Sequence, residues 1–216
     1  DGLSPIPHSP LPSTKHDQKL HGPGGTDPFI GDHMPLPADK ARYVGEAIAI
    51  VVAETLGQAQ DAADAVMIDY ESLPCVTDTD KAAAAGAPTI WDEVPDNIGI
   101  ETFFGDKEAI DAAFAQADHV VDMEFYIDRV TGVPMEPRAA LGDYDPEKDR
   151  YTVYAGSGGS VRQKREIAEV LGVDAGQVRV VSKDVGGNFG TRNRLYVEFP
   201  LVGWVSRKLS RPVKFT

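Results

Sequence analysis

A β-branched run, Val178-Arg179-Val180-Val181, feeds directly into Ser182-Lys183-Asp184-Val185-Gly186-Gly187-Asn188-Phe189-Gly190. Glycine has no Cβ, so it tolerates positive φ and lets a ligand touch the main chain. A helix is expected to follow, from about Arg192 to Leu209. The free N–H groups at a helix start favour anionic or oxygen-rich ligands. The loop is not G-x-G-x-x-G, and no Gly-Lys-Ser/Thr follows to make it a Walker A loop. Taken alone, it reads equally well as a tight strand-to-helix turn without a ligand.

Other residues with chemical potential are fewer. In Pro134-Met135-Glu136-Pro137-Arg138, an acid and a base stand two apart, so on a strand they share a face. They could clamp a substrate; a buried structural pair is the favoured reading. His8, His16, His21 and His33 lie in a proline-rich N-terminal stretch with no helical or zinc-type spacing. That stretch is expected to be an extended, solvated tail without a metal site. The single cysteine, Cys75, excludes an intrachain disulfide and a four-thiolate iron–sulfur cluster. It follows Pro74 in an apolar setting and reads as a small buried filler.

The elements that must position these residues can be read from periodicity. Residues 47–53 form an apolar run expected as a buried strand. Residues 55–67 suit a helix capped by Thr55, with Leu56, Ala59, Ala63 and Val66 on one face. A short strand at 67–70 completes a β-α-β unit, and an alanine-rich helix follows near 80–85. Beyond a linker anchored by Trp91, a strand at 100–104 and a helix at 106–117 are expected. Asp106 is the cap of that helix, and Ile110, Ala113 and Phe114 point inward. Alternation of Val121, Met123, Phe125 and Ile127 predicts strand from 119 to 144. A strand at 150–155 follows the turn Asp145-Pro146-Glu147-Lys148-Asp149, then a helix at 160–171 stopped by Gly172. Pro200 lies inside the last helical stretch and should kink it or restart it near Glu198.

Composition narrows the functional classes. The chain has 216 residues, 42% hydrophobic and 25% charged, as in ordinary globular domains. A net charge of −13 argues against nucleic acid and against anionic membrane surfaces. No apolar run reaches the length of a membrane span.

Four segments in order carry a resemblance. They are Asp39-Lys40-Ala41-Arg42-Tyr43-Val44-Gly45-Glu46-Ala47-Ile48-Ala49-Ile50-Val51-Val52-Ala53, the 134–140 stretch, the Gly-Gly-Asn-Phe-Gly loop, and Arg211-Pro212-Val213-Lys214-Phe215-Thr216. Together they resemble the molybdopterin-binding large subunit of the xanthine dehydrogenase/aldehyde oxidase/carbon monoxide dehydrogenase family. The resemblance implies an α+β fold: a partial a/b hammerhead domain, then the start of the molybdenum cofactor-binding domain. Its implied organisation is an extended connecting segment (1–34), partial hammerhead (35–86), a linker with strand and helix (87–117), and the N-terminal part of the cofactor domain (118–216). It implicates Gly186, Gly187, Asn188, Phe189 and Gly190 in cofactor binding, and Arg192 and Asn193 beside the substrate. Two positions depart from the family pattern. Gly158 falls where many members carry a glutamine, and Asn193 where purine-oxidising members carry an acid. These weigh against a xanthine oxidase.

Family large subunits are several times longer, so the chain reads as a fragment lacking the family's catalytic glutamate. No residue here is assigned as catalytic or as a metal ligand. The intact enzyme is expected to hydroxylate a small aldehyde or N-heterocycle with oxygen from water. Its electrons would leave through iron–sulfur and FAD subunits or domains. The isolated chain is expected to be inactive, with no molybdopterin, iron–sulfur cluster or flavin of its own. The remainder of the large subunit is its expected partner, in an oligomer in the cytoplasm, with periplasmic export left open. A non-catalytic assembly module is the alternative. A nucleotide-binding domain is the weaker one, because no acidic ribose-binding residue stands at the usual spacing.

Overall fold

The computed structural model describes residues 2–8, 27–103 and 105–216. His16, His21 and Phe104 lie outside the described residues. The chain divides into two compact units, one built from residues 2–8, 32–73 and 131–216, the other from residues 27–31 and 74–130 among those described.

The first unit holds a four-stranded sheet. Strands β1 (Ala140–Asp145) and β2 (Arg150–Ala155) form an antiparallel hairpin. Strand β3 (Val178–Val181) runs parallel to β2, and β4 (Val213–Phe215) runs antiparallel to β1, giving the order β3-β2-β1-β4. A parallel pair needs a crossover, here helix α4 (Ser160–Leu171). Gly172 ends α4 at φ 65, in the left-handed region that glycine adopts without strain. Helix α5 (Glu198–Leu209) joins β3 to β4 and packs on β1.

Alternation decides which face is buried. Tyr151, Val153 and Ala155 of β2 point into the core with Val178 of β3. They meet Ile167, Val170, Phe199 and Val202 from the two helices. Each fully buried Val, Ile or Phe contributes roughly 1.5–3 kcal/mol relative to exposure.

Several expectations are corrected here. The last helix begins at Glu198, the restart expected from Pro200, and not near Arg192, because residues 192–195 are tied down by side chains of other segments. Pro200 therefore falls in its first turn, where a missing N–H costs nothing. Residues 2–8 are extended but are not a solvated tail. Ile6 is buried, its N–H donates to the His33 carbonyl at 2.7 Å, and Ser4 N–H donates to the Val170 carbonyl at 2.8 Å. Among the described residues, 47–53, 67–70, 100–103 and 119–139 enter no ladder. Apolar alternation supplies strand propensity, yet a strand exists only with a hydrogen-bonded neighbour.

Helix α1 (Leu56–Asp64) forms with the expected Thr55 cap, closed into a capping box by Gln58. It buries no residue, so the apolar face read from Leu56 to Val66 stays open to solvent. In the second unit the alanine-rich helix is one turn, α2 (Thr79–Ala82), and Cys75 is exposed rather than a buried filler. Helix α3 (Lys107–Gln116) has Asp106 as its cap, accepting from Ala109 N–H at 3.0 Å. Its Ile110 and Phe114 are exposed, against the inward expectation. Trp91 anchors its segment edge-on to Phe29 at 5.8 Å.

Candidate functional site

The chain leaves β3 and reaches Gly186, where a residue fifty positions upstream takes hold of it. Gly186 N–H donates to the Glu136 carboxylate at 2.7 Å, and Glu136 N–H donates back to the Gly186 carbonyl at 3.4 Å. A Cβ on Gly186 would fall 2.6 Å from the Glu136 Cβ, so only glycine allows this clasp. The Gly186 hydrogen bond, then the Arg192 guanidinium, hold the Glu136 carboxyl below its ordinary range.

Arg192 closes the clasp from the other side. Its buried guanidinium donates to the Glu136 carboxylate, to the Glu136 carbonyl, and to the Pro137 carbonyl at 3.5 Å. Gly156 makes room for it, since a Cβ there would lie 2.7 Å from Arg192 Nη1. Glu136 and Arg138 therefore do not form the pair expected between them. Proline follows Glu136, and their side chains serve different partners. Arg138 Nε lies 3.1 Å from Glu198 and its guanidinium sits 4.2 Å above the Tyr196 ring. Burial pushes the Glu198 carboxyl upward, partly countered by Arg138.

Between these supports the loop turns tightly. Thr191 N–H donates to the Asn188 carbonyl at 2.9 Å, and the two enclosed residues, Phe189 and Gly190, have φ 50 and φ 85. Positive φ at a phenylalanine is uncommon and is held by the surrounding structure. The Phe189 side chain is exposed and lies over Gly187, itself at φ 111. A Cβ at Gly187 would come 3.0 Å from Phe189 Cε2 and 3.1 Å from Pro134 Cβ. Asn193 is exposed and accepts a 2.9 Å hydrogen bond from Asn188. Gly158 sits against this amide pair.

Two supports escape sequence reasoning. Glu136 and Arg192 are 56 residues apart, and no spacing rule joins them. Glu166 on α4 is the other: buried, it accepts from Leu195 N–H at 3.1 Å and from Arg162 Nε at 3.1 Å. It fixes the segment just after the loop. Elsewhere His8 Nε2 lies 2.9 Å from His33 Nδ1, whose other nitrogen is 3.1 Å from the Tyr43 hydroxyl. Desolvation, then His33 and Arg194, lower the His8 pKa from its ordinary value. Among the described residues no group of three or more His, Cys, Asp or Glu could hold a metal ion, and no helix is long and apolar enough to cross a membrane.

Gly186 N–H is occupied by Glu136. The N–H groups of Gly187, Asn188, Phe189 and Gly190 meet no acceptor among the described residues. A Cβ at Gly190 would touch nothing within 4 Å, so that position opens to space. Main-chain N–H groups without a protein acceptor are the kind of donor an oxygen-rich ligand can use. Fold and loop together define an α+β protein with a glycine-rich turn between its sheet and its last helix.

Comparison with known proteins gives that class its family. Residues 90–216 match the molybdopterin cofactor-binding domain, and residues 6–74 match the aldehyde oxidase and xanthine dehydrogenase a/b hammerhead domain. The chain belongs to the family of molybdopterin-binding large subunits of xanthine dehydrogenase, aldehyde oxidase and carbon monoxide dehydrogenase. The nicotine 6-hydroxylase large subunit of Paenarthrobacter nicotinovorans is 38% identical over 185 residues, covering 84% of this chain and 22% of that protein. The carbon monoxide dehydrogenase large chain of Hydrogenophaga pseudoflava is 31% identical, covering 87% of this chain and 25% of that protein. The crystal structure of quinoline 2-oxidoreductase from Pseudomonas putida 86 superposes with a TM-score of 0.76 at 29% identity, over 85% of this chain and 23% of that one. The chain thus spans about a quarter of the length of these relatives.

Proposed function

We propose that this chain works as part of the large subunit of a molybdenum hydroxylase that oxidises a small N-heterocycle, with a small aldehyde as the other substrate class. The observation that carries this reading is the 187–190 turn, whose main-chain donors have no protein acceptor among the described residues. The names of two relatives, a nicotine 6-hydroxylase and a quinoline oxidoreductase, favour the heterocycle. Residues 118–216 would contribute the first part of the cofactor domain and residues 35–86 part of the hammerhead. The setting we assign is a cytoplasmic oligomer with iron–sulfur and FAD subunits or domains.

The bound molybdenum–pterin group supplies the redox chemistry. The protein's own work is positioning. Gly186 is locked by Glu136, and Arg192 locks Glu136 in turn, so the start of the 187–190 turn is held in place before any ligand arrives. Donors fixed in advance need no reorganisation during reaction. Phe189 presents an exposed aromatic face beside them, suited to stacking on a flat ring. Arg192 is spent on Glu136, while exposed Asn193 gives its Oδ1 to Asn188 and keeps its amide N–H groups for a substrate.

The test is isotopic. The full-length protein with its electron-transfer partners is incubated with a nicotine-like or quinoline-like heterocycle in ¹⁸O-labelled water. The expected product is the ring-hydroxylated compound carrying the label. A hydroxylated product labelled only from ¹⁸O₂, or no turnover with any heterocycle or aldehyde, would contradict the reading.

A further inference from the structure

We infer that the Asn188 and Asn193 side chains form an amide latch that ties the glycine loop to the segment after it, and that position 158 is glycine to admit this latch. The inference rests on the proposed cofactor role of the loop. Arg192 N–H can only donate, so the Asn188 atom 3.1 Å from it is Oδ1. Nδ2 must then face Asn193, and the atom it meets at 2.9 Å must accept, which makes it Asn193 Oδ1. The backbone thus fixes the orientation of both amides.

The 156–160 turn closes over the latch. Gly158 N–H donates to the Arg192 carbonyl at 2.9 Å. A Cβ at 158 would lie 2.2 Å from Asn193 Oδ1 and 2.3 Å from Asn188 Nδ2, between the two bonded ends. Any side chain there would part them. Asn188 stands between Gly187 at φ 111 and Phe189 at φ 50. Its side chain is therefore anchored at the point where the backbone conformation is least able to hold itself. Asn188 and Asn193 are positioning residues: they act through the main-chain donors beside them.

Donor and acceptor roles give the latch a signature that packing alone would not show. Asn193→Asp still accepts from Asn188 Nδ2. Asn188→Asp still accepts from Arg192 N–H, and Asn193 can turn its amide to donate. The double variant sets two carboxylates face to face with no donor between them. In the full-length protein, the readouts are hydrogen exchange over residues 186–193, molybdenum per protein by elemental analysis, and Tm as a folding control. Each single variant should stay within about twofold of wild type in exchange over this segment. The double variant should exchange roughly tenfold faster in this segment and lose molybdenum, in line with loss of a hydrogen bond that leaves both partners unpaired. Wild-type protection in the double variant, or a double effect equal to the two single effects combined, would overturn the latch. If the wild-type protein holds no molybdenum, the cofactor reading falls, and the exchange pattern still decides the latch.

Discussion

Glu166→Leu will destabilise the sheet unit by about 3–5 kcal/mol, the usual consequence of removing one partner from a buried ion pair. Glu166 is fully enclosed on α4. One carboxylate oxygen faces Arg162 Nε at 3.1 Å and Arg194 Nη1 at 3.4 Å, and the other accepts the Leu195 N–H at 3.1 Å. Leucine fills the space but accepts nothing. The Leu195 N–H, at a buried residue, then loses its partner, and the Arg162 charge, about a quarter exposed, loses its own. The damage should spread to the segment after the glycine loop, because Leu195 is where that segment is pinned. Glu169→Leu on the exposed side of the same helix is the control, expected within about 0.5 kcal/mol of wild type. Denaturant unfolding compares the two; equal stability would show that Glu166 pins nothing.

Gly142→Ala is expected to have an effect of similar size from a different cause. Gly142 lies in β1 opposite Val153 and Val213, under α5. A Cβ there would sit 2.4 Å from the Val202 carbonyl carbon, 2.5 Å from Gly203 N and 2.6 Å from Val202 O. All three are main-chain atoms, so no rotamer change relieves the overlap. The helix must lift off the strand, which opens the core at Tyr151, Val153 and Phe199. The cost belongs at or above the top of the roughly 1–3 kcal/mol range for overpacking. Gly57→Ala makes the opposite comparison: it lies in α1 with nothing within 4 Å of a new Cβ. It should stabilise by roughly 0.4–1 kcal/mol. A Gly142→Ala protein with wild-type Tm would mean that α5 does not rest on β1 as described.

The residues that betray their structure in the sequence are those whose signals are local. Arg150–Ala155 alternates cleanly, Val178–Val181 is a β-branched run, Gly172 ends its helix, and Thr55 and Asp106 cap theirs. Each depends on neighbours a few positions away. The segments 47–53 and 119–139 carried equally good strand patterns and form no ladder among the described residues, because pairing depends on a partner that propensity does not name. The helix expected from Arg192 starts six residues late for a related reason. Arg192 and Leu195 are captured by Glu136 and Glu166, whose side chains outbid a helical turn. The glycine loop was legible as a place of close main-chain approach. Its clasp was not: Glu136 reads as the partner of Arg138, two residues away, until the fold brings Arg192 to it.

The central claim is that the 186–190 loop holds the molybdenum cofactor by close approach of its main chain. Molybdenum content of the full-length protein, compared between Gly187→Val and Val181→Ile, tests it most directly. Gly187 has φ 111, where a β-branched side chain is strained, and its new atoms would press on Phe189 and Pro134. Val181→Ile adds one methylene to a half-buried strand position and should cost no more than roughly 1–3 kcal/mol. With both variants folded by Tm, the account predicts near wild-type molybdenum in Val181→Ile and a severe loss in Gly187→Val. Full molybdenum occupancy and unchanged kcat in folded Gly187→Val would contradict it and reduce the loop to a turn.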